Sequence, residues 1–220
     1  MAVEYNPRIV TDGLVLYLDA GNTKSYPGSG NTWSDLTSSN NDGTFQSGAN
    51  YSSVDGGVID FDGTNDHVNF SSEMFNPNSD FTISSYVNLD AINATHTIVS
   101  TENSSGSFQL RYQSGTGVQI VDSFVVNVGA FSSSETLSTG TWYNITVTRS
   151  GNTYTYYLNG SSVSSFTSTN TYNHGPRTIG VNISSSEAFN GKISVIRTYN
   201  KALTAAEVQQ NYNAIKRRYA

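Results

Sequence analysis

The chain has 220 residues, long for an average domain but within the range of single β-sandwiches, and long enough to bury a core without cross-links. It contains no cysteine, which excludes disulfide scaffolds, Cys-ligated zinc, iron–sulfur clusters and thiol nucleophiles. A formal net charge of −6 with only 13% charged residues argues against nucleic acid, whose binders draw affinity from a basic face; the basic run Lys216-Arg217-Arg218 reads instead as a dipole-favoured helix end.

In chain order, apolar and polar residues alternate in short runs between Gly, Asn, Asp and Ser clusters, which is the strand-and-turn pattern. Leu14 to Leu18 reads as an early strand, and the segment 26–56 as loop-rich. Gly57 to Phe61 and His67 to Phe70 read as strands around a turn at Asp62-Gly63-Thr64-Asn65. Further strands are expected at Phe81 to Val87, Thr97 to Thr101, Ser107 to Tyr112 and Val118 to Asp122. Trp142 to Arg149 places Tyr143, Ile145 and Val147 on one face; Ser150-Gly151-Asn152 turns the chain, and Thr153 to Leu158 returns. Asn159-Gly160 supplies a second hairpin turn, since both residues tolerate positive φ. The Ser/Thr-rich stretch 161–176 reads as a connection, and strands follow at Arg177 to Val181 and Lys192 to Tyr199.

A single helix is expected over about 204–218. Thr204 and Glu207 have the spacing of a capping box, Leu203 and Val208 that of a hydrophobic staple. Val208, Tyr212, Ile215 and Tyr219 make one apolar stripe. No linker or internal repeat divides the chain, so residues 1–220 are expected to form one domain.

Several of these segments resemble the concanavalin A-like lectin/glucanase superfamily in its laminin G-like form. Gly13 to Ala20 resembles its opening strand, and Trp33-Ser34-Asp35-Leu36 with Asn40-Asn41-Asp42-Gly43 resembles a family loop. Phe61-Asp62-Gly63-Thr64-Asn65-Asp66-His67-Val68 is similar to the family's F-D-G-x-D-D-Y-V, with His67 where Tyr is usual. The Trp142 hairpin resembles another family motif, with Asn144 in place of His; Phe189 to Ile193 and Arg197 to Thr204 resemble the last strand and helix entry. The resemblance implies an all-β, concanavalin A-like jelly-roll β-sandwich of two antiparallel sheets with one short C-terminal α-helix. It does not by itself assign a function, because this fold hosts lectins, glycanases, adhesion modules and viral surface proteins.

Catalysis is not expected. Glycoside hydrolysis needs two positioned carboxyl groups, and the superfamily's glucanases carry Glu-x-Asp-x-x-Glu; none of Glu4, Glu73, Glu102, Glu135, Glu187 and Glu207 begins such a motif. His67, His96 and His174 lack zinc spacing, and no nucleophile elbow, P-loop or dinucleotide fingerprint is present. Asp60 and Asp62 share a face if their segment is a strand, and with Asn65 and Asp66 they form a candidate structural calcium site; the same residues also suit turn capping. Asp19, Asn22, Asp35 and Asp42 form a second such cluster. Tyrosine rings can stack on sugars while their hydroxyls hydrogen-bond, and Tyr26, Tyr51, Tyr112 and Tyr172, beside loops, are the candidate carbohydrate platforms.

No run reaches the ~20 apolar residues of a membrane span, and Met1 to Pro7 lacks the charged-then-apolar order of a secretory signal. Standalone family members of this kind resemble bacteriophage structural or adhesion proteins. The expectation is therefore a non-catalytic virion surface protein (capsid decoration, head fibre or tail-associated) displaying a lectin-like jelly roll. Its expected partners are other virion proteins, surface glycans and further copies of itself, not nucleic acid or membrane. The alternative is an extracellular or cell-surface carbohydrate-binding module, with a glycanase as a remote second. Binding is expected at loops of one rim, within 26–56 and 161–176.

Overall fold

The computed structural model describes residues 8–101, 106–122, 125–131, 136–182 and 187–219. Its strands in chain order are β1 (Leu14–Asp19), β2 (Thr32–Trp33), β3 (Gly43–Gln46), β4 (Asn50–Ser52), β5 (Val58–Asp62), β6 (His67–Phe70), β7 (Phe81–Leu89) and β8 (Thr95–Ser100). They continue with β9 (Phe108–Gln113), β10 (Gly117–Asp122), β11 (Val125–Ala130), β12 (Trp142–Ser150), β13 (Thr153–Leu158), β14 (Ser161–Thr167), β15 (Thr178–Ile179) and β16 (Asn190–Tyr199). Helix α1 (Ala205–Ile215) runs into a 3-10 turn, Lys216–Tyr219. One sheet has the order β14-β13-β12-β7-β16-β5-β4 with β1 also on β16, and the other the order β11-β10-β9-β8-β15-β6-β3-β2. The strands pair antiparallel throughout both sheets. This is the jelly-roll sandwich expected from the sequence.

Alternation decides which side chains meet between the sheets. Phe81, Ile83, Val87 and Leu89 of β7, Ile145 and Val147 of β12, and Tyr154 and Tyr156 of β13 face Phe108, Leu110 and Tyr112 of β9 and Val118 and Ile120 of β10 in the main core. Rings of Phe75, Phe81 and Phe108 pack together at centroid distances of 4.4–5.7 Å, largely edge to face. The two hairpin turns are as expected: Ser150 pairs with Thr153 around Gly151, and Leu158 with Ser161 around Asn159 (φ 50°) and Gly160 (φ 81°), the positive angles of a type I′ turn.

Two expectations need correction. The first seven residues of 161–176 form strand β14, which pairs with β13 at the sheet edge. A register shift between Tyr156 and Tyr157 breaks the period of two there and hides the strand from an alternation argument. The segment 26–56 contributes the short strands β2 and β4 at the sheet edges and β3, which lies between β2 and β6.

The first sheet is buried on its outer face as well. All nine residues of β7 are buried, because α1 and its 3-10 extension cover that face. Thr204 Oγ1 accepts from Glu207 N–H at 3.3 Å, and Glu207 Oε2 accepts from Thr204 N–H at 2.8 Å, completing the capping box. Leu203 and Val208 join Val10, Tyr157 and Tyr199, while Ile215 meets Tyr86 and Val195, with Tyr17, Trp142, Tyr212 and Tyr219 around them. Arg218 forms a forked pair with Asp19 at 2.6 and 3.0 Å, which ties the helix end to β1. Arg197 of β16 is fully buried beneath the helix, its guanidinium 5.4 Å over the Tyr17 ring.

Replacing buried Val208 with a carboxylate removes a contact worth about 1.5–3 kcal/mol and adds the cost of burying a charge. Val208→Asp should therefore lower the melting temperature by roughly 6 °C or more. Ile215→Asp should act in the same direction, and calorimetry of both variants measures it.

Candidate functional site

Three of the four candidate sugar platforms belong to the core. Tyr26, Tyr112 and Tyr172 are 4%, 2% and 4% exposed, so none offers a ring face to a sugar. Tyr26 packs on Phe45 and Tyr51, at 5.3 and 4.9 Å between centroids, and its hydroxyl donates to Gly30 O at 2.8 Å. Burial, with Tyr51 close by, pushes its hydroxyl pKa up. Tyr112 stacks beside His96 between the sheets, and Tyr172 lies edge-on to Phe108. Tyr51 is half-buried with its ring against Tyr26. Proximity to a loop in sequence did not predict orientation, since each of these side chains turns inward.

The acidic residues at the β5–β6 hairpin do come together. Asp60, Asp62 and Asp66 line one cleft, with Ser47, Gly48 and Asn50 from the β3–β4 turn. Asp90 beyond β7 and Asn190 at the start of β16 complete it, around a cavity of about 370 Å³. These groups gather because Asn50 pairs with Asp60 and Asn190 with Asp62, bringing three strand ends to one rim. Asn65 does not line the cleft; it is an exposed turn residue whose carbonyl contacts the His67 ring at 2.7 Å.

Part of this carboxylate set serves the turn itself. Asp62 Oδ1 accepts from Thr64 N–H at 2.7 Å, and Asp66 Oδ2 accepts from Asp62 N–H at 2.9 Å. Lys192 Nζ stands 2.8 Å from Asp90 and 4.0 Å from Asp60. Among the described residues, no three acidic or histidine side chains gather closely enough to hold a metal ion. Of the Asp60, Asp62, Asn65 and Asp66 grouping expected for calcium, the three carboxylates line the cleft and the exposed Asn65 does not. The second cluster is structural too: Asp19 pairs with Arg218, while Asp35 accepts from Tyr17 N–H, Thr37 and Asn41 N–H, and Asp42 from Asp35 N–H.

Two features escaped the sequence argument. Asp90 and Asn190 lie far from the hairpin in sequence, and only the strand order brings them to it. On the outer face of the second sheet, Arg111 reaches Glu187, Gln119 and Gln113, while Gln109 reaches Glu187 and Thr97, all at 2.7–3.1 Å. These groups satisfy one another, so the network pins chain segments together. The cleft, whose oxygens face a cavity, is the candidate site.

Residues 62–209 match the family model Laminin_G_3, described as the concanavalin A-like lectin/glucanases superfamily. The chain belongs to that superfamily. No curated protein matches the sequence. Among solved structures, domain 4 of AbnA, a GH43 extracellular arabinanase from Geobacillus stearothermophilus in complex with arabinotriose, aligns with TM-score 0.71 and 18% identity over 90% of this chain and 98% of that one. Trypanosoma rangeli sialidase in complex with sialic acid aligns with TM-score 0.70 and 14% identity over 98% of this chain. This chain spans only 36% of that sialidase's length. The binding domain of Paraclostridial Mosquitocidal Protein 1 aligns with TM-score 0.67 and 18% identity over 92% of this chain and 52% of that one. At these identities the likeness shows a shared concanavalin A-like fold alone.

A buried histidine holds one wall of the cleft. His96 Nδ1 accepts from Asn190 N–H at 3.3 Å, and burial pushes the imidazole pKa down, keeping the ring neutral as an acceptor. The unfolded chain takes up this proton near pH 6.5, and the folded chain resists doing so. Stability should consequently fall as pH drops below about 6.5. His96→Gln should flatten that limb of a melting-temperature profile between roughly pH 7 and 5; a profile unchanged by the substitution would show that His96 does not drive it.

Proposed function

We propose that the chain is a non-catalytic glycan-binding module whose site is the Asp60–Asp66–Asp90–Asn190 cleft. The observation that carries this reading is the cavity itself. It sits where strand ends meet and is lined by carboxylate, amide and hydroxyl groups, which can accept from and donate to sugar hydroxyls. The domain 4 structure with arabinotriose supports it by showing a like fold beside a saccharide. The absence of a Glu-x-Asp-x-x-Glu strand and the use of Asp62 and Asp66 as turn acceptors support binding over hydrolysis. Bound structural calcium is no part of this reading.

The context we propose is display at a virion surface, where repeated copies compensate for weak single sites. A single shallow polar site of this kind is expected to bind weakly, and multivalent presentation raises avidity by roughly 10²–10⁴. An exterior dominated by neutral hydrogen-bonding residues, with 13% charged, suits such exposure.

On a densely coated glycan array the protein should give hits that are lost as coating density falls. Asn190→Ala and Asp90→Asn should abolish these hits while leaving the melting temperature within about 2 °C. Reducing-end assays on the same glycans should stay at background. Hits that persist in both variants would move the site elsewhere, and turnover would end the non-catalytic reading. Antibodies to the chain should decorate particles in negative stain; unlabelled particles alongside array hits would leave the module without the virion.

A further inference from the structure

We propose that the cleft selects sugars bearing a protonated amine over neutral and anionic ones. This rests on the reading that the cleft binds a glycan and names the class of glycan it takes.

The first ground is a missing partner. Asp66 is only 5% exposed, yet it lines the cavity. Its Oδ2 is held by Asp62 N–H, while no described residue donates to its Oδ1. That oxygen lies beside Gly48, where a Cβ would stand 2.7 Å away, so a side chain at this position would close over it. Asp66 is largely buried as a residue, yet Oδ1 is not among the fully buried unpartnered oxygens, so it stays within reach of a donor from outside, and a charged donor meets it best.

Charge is the second ground. Asp60, Asp62, Asp66 and Asp90 all line the cleft, and Lys192 is the cation paired at its edge, so four carboxylates stand against one ammonium. Burial raises the Asp66 carboxyl pKa; the Asp62 N–H bond opposes this, and the negative charges of Asp62 and Asp60 add to it. Such a wall repels the carboxylates of acidic sugars and attracts cations.

The third ground is size. The carboxylates are too dispersed for three of them to share one metal ion among the described residues, yet they surround about 370 Å³. That volume is at the low end of small-molecule pockets, ~300–1,000 Å³, and fits a ring carrying its charge on a substituent. Ring hydroxyls can donate to Asp60 and Asp62, and an ammonium can meet Asp66 or Asp90.

Titration calorimetry of the full chain at pH 6 tests this with four probes. They are a glucosamine trimer, cellotriose (a hydroxyl at the amine-bearing carbon), a sialylated trisaccharide and calcium chloride. The glucosamine trimer should bind at least ten-fold more tightly than cellotriose at low salt. That preference should shrink toward 1 M salt, where the Debye length falls to ~3 Å. Asp66→Asn retains an acceptor for Asp62 N–H and should erase most of the preference while the protein stays folded. Equal affinity for cellotriose and the amine, or tighter binding of the sialylated probe, overturns the inference and leaves the glycan-binding reading intact. No saccharide binding, or binding unchanged by both Asp66→Asn and Asn190→Ala, overturns both. Asp66-dependent calcium binding that the amine does not displace also overturns it, making the cleft an ion site.

Discussion

Strands β7 and β16 run through the middle of one sheet with side chains buried on both faces, and this double burial constrains the rest of the molecule. The inner face is covered by the second sheet, as in any sandwich. The outer face needs its own cover, and the chain continues from β16 directly into it through Leu203, the Thr204 cap and α1. A register shift between Ile193 and Val195 makes this possible. It leaves Ser194 as an extra residue, its hydroxyl donating to Gly57 O at 2.6 Å, and re-aims Val195, Arg197 and Tyr199 toward the helix. Without that shift a ten-residue strand would put the wrong residues on each face over half its length.

The same strand organises the rim. The first half of β16 pairs with β5 and the second half with β1, both opposite β7. Asn190 thus arrives beside Asp62, and Asp90 follows directly from the end of β7. The cleft is built from the ends of the most deeply buried strands, so its groups are placed by the core although they face a cavity. His96 joins the two: it packs edge-on to Phe189 in the core and accepts from the next residue's backbone at the cleft wall.

Legibility in the sequence followed the strength of local signals. The β12–β13 hairpin and α1 were readable because period-two alternation, Asn159-Gly160 and the Thr204–Glu207 box are contiguous in the chain. Strand β14 was not, since its apolar residues Val163 and Phe166 are three apart across a register shift and the remainder is Ser and Thr. The Asp60–Asp62–Asp66 portion of the cleft was visible as spacing within one hairpin, whereas Asp90 and Asn190 required the strand order. The tyrosines misled for a related reason. Their flanking residues are polar and turn-forming, but burial was decided by partners such as Phe45 and Phe108, distant in the chain.

A concanavalin A-like sandwich hosts many unrelated functions, so the fold by itself does not choose a ligand. On the reading proposed above, that choice falls in this chain to side chains whose structural duties leave atoms to spare. Asp62 and Asp66 each spend one oxygen on the hairpin's own backbone, which fixes their carboxylates without neutralising them. Lys192 offsets only the Asp90 and Asp60 side of the wall. A largely buried carboxylate with one oxygen held by backbone is already oriented before any ligand arrives, so a ligand bound there would forgo the ordering cost that a flexible loop carries. On the proposed reading, turn chemistry and recognition are two uses of the same residues: the backbone bonds that shape the hairpin occupy one oxygen of each carboxylate and leave the other outside the turn.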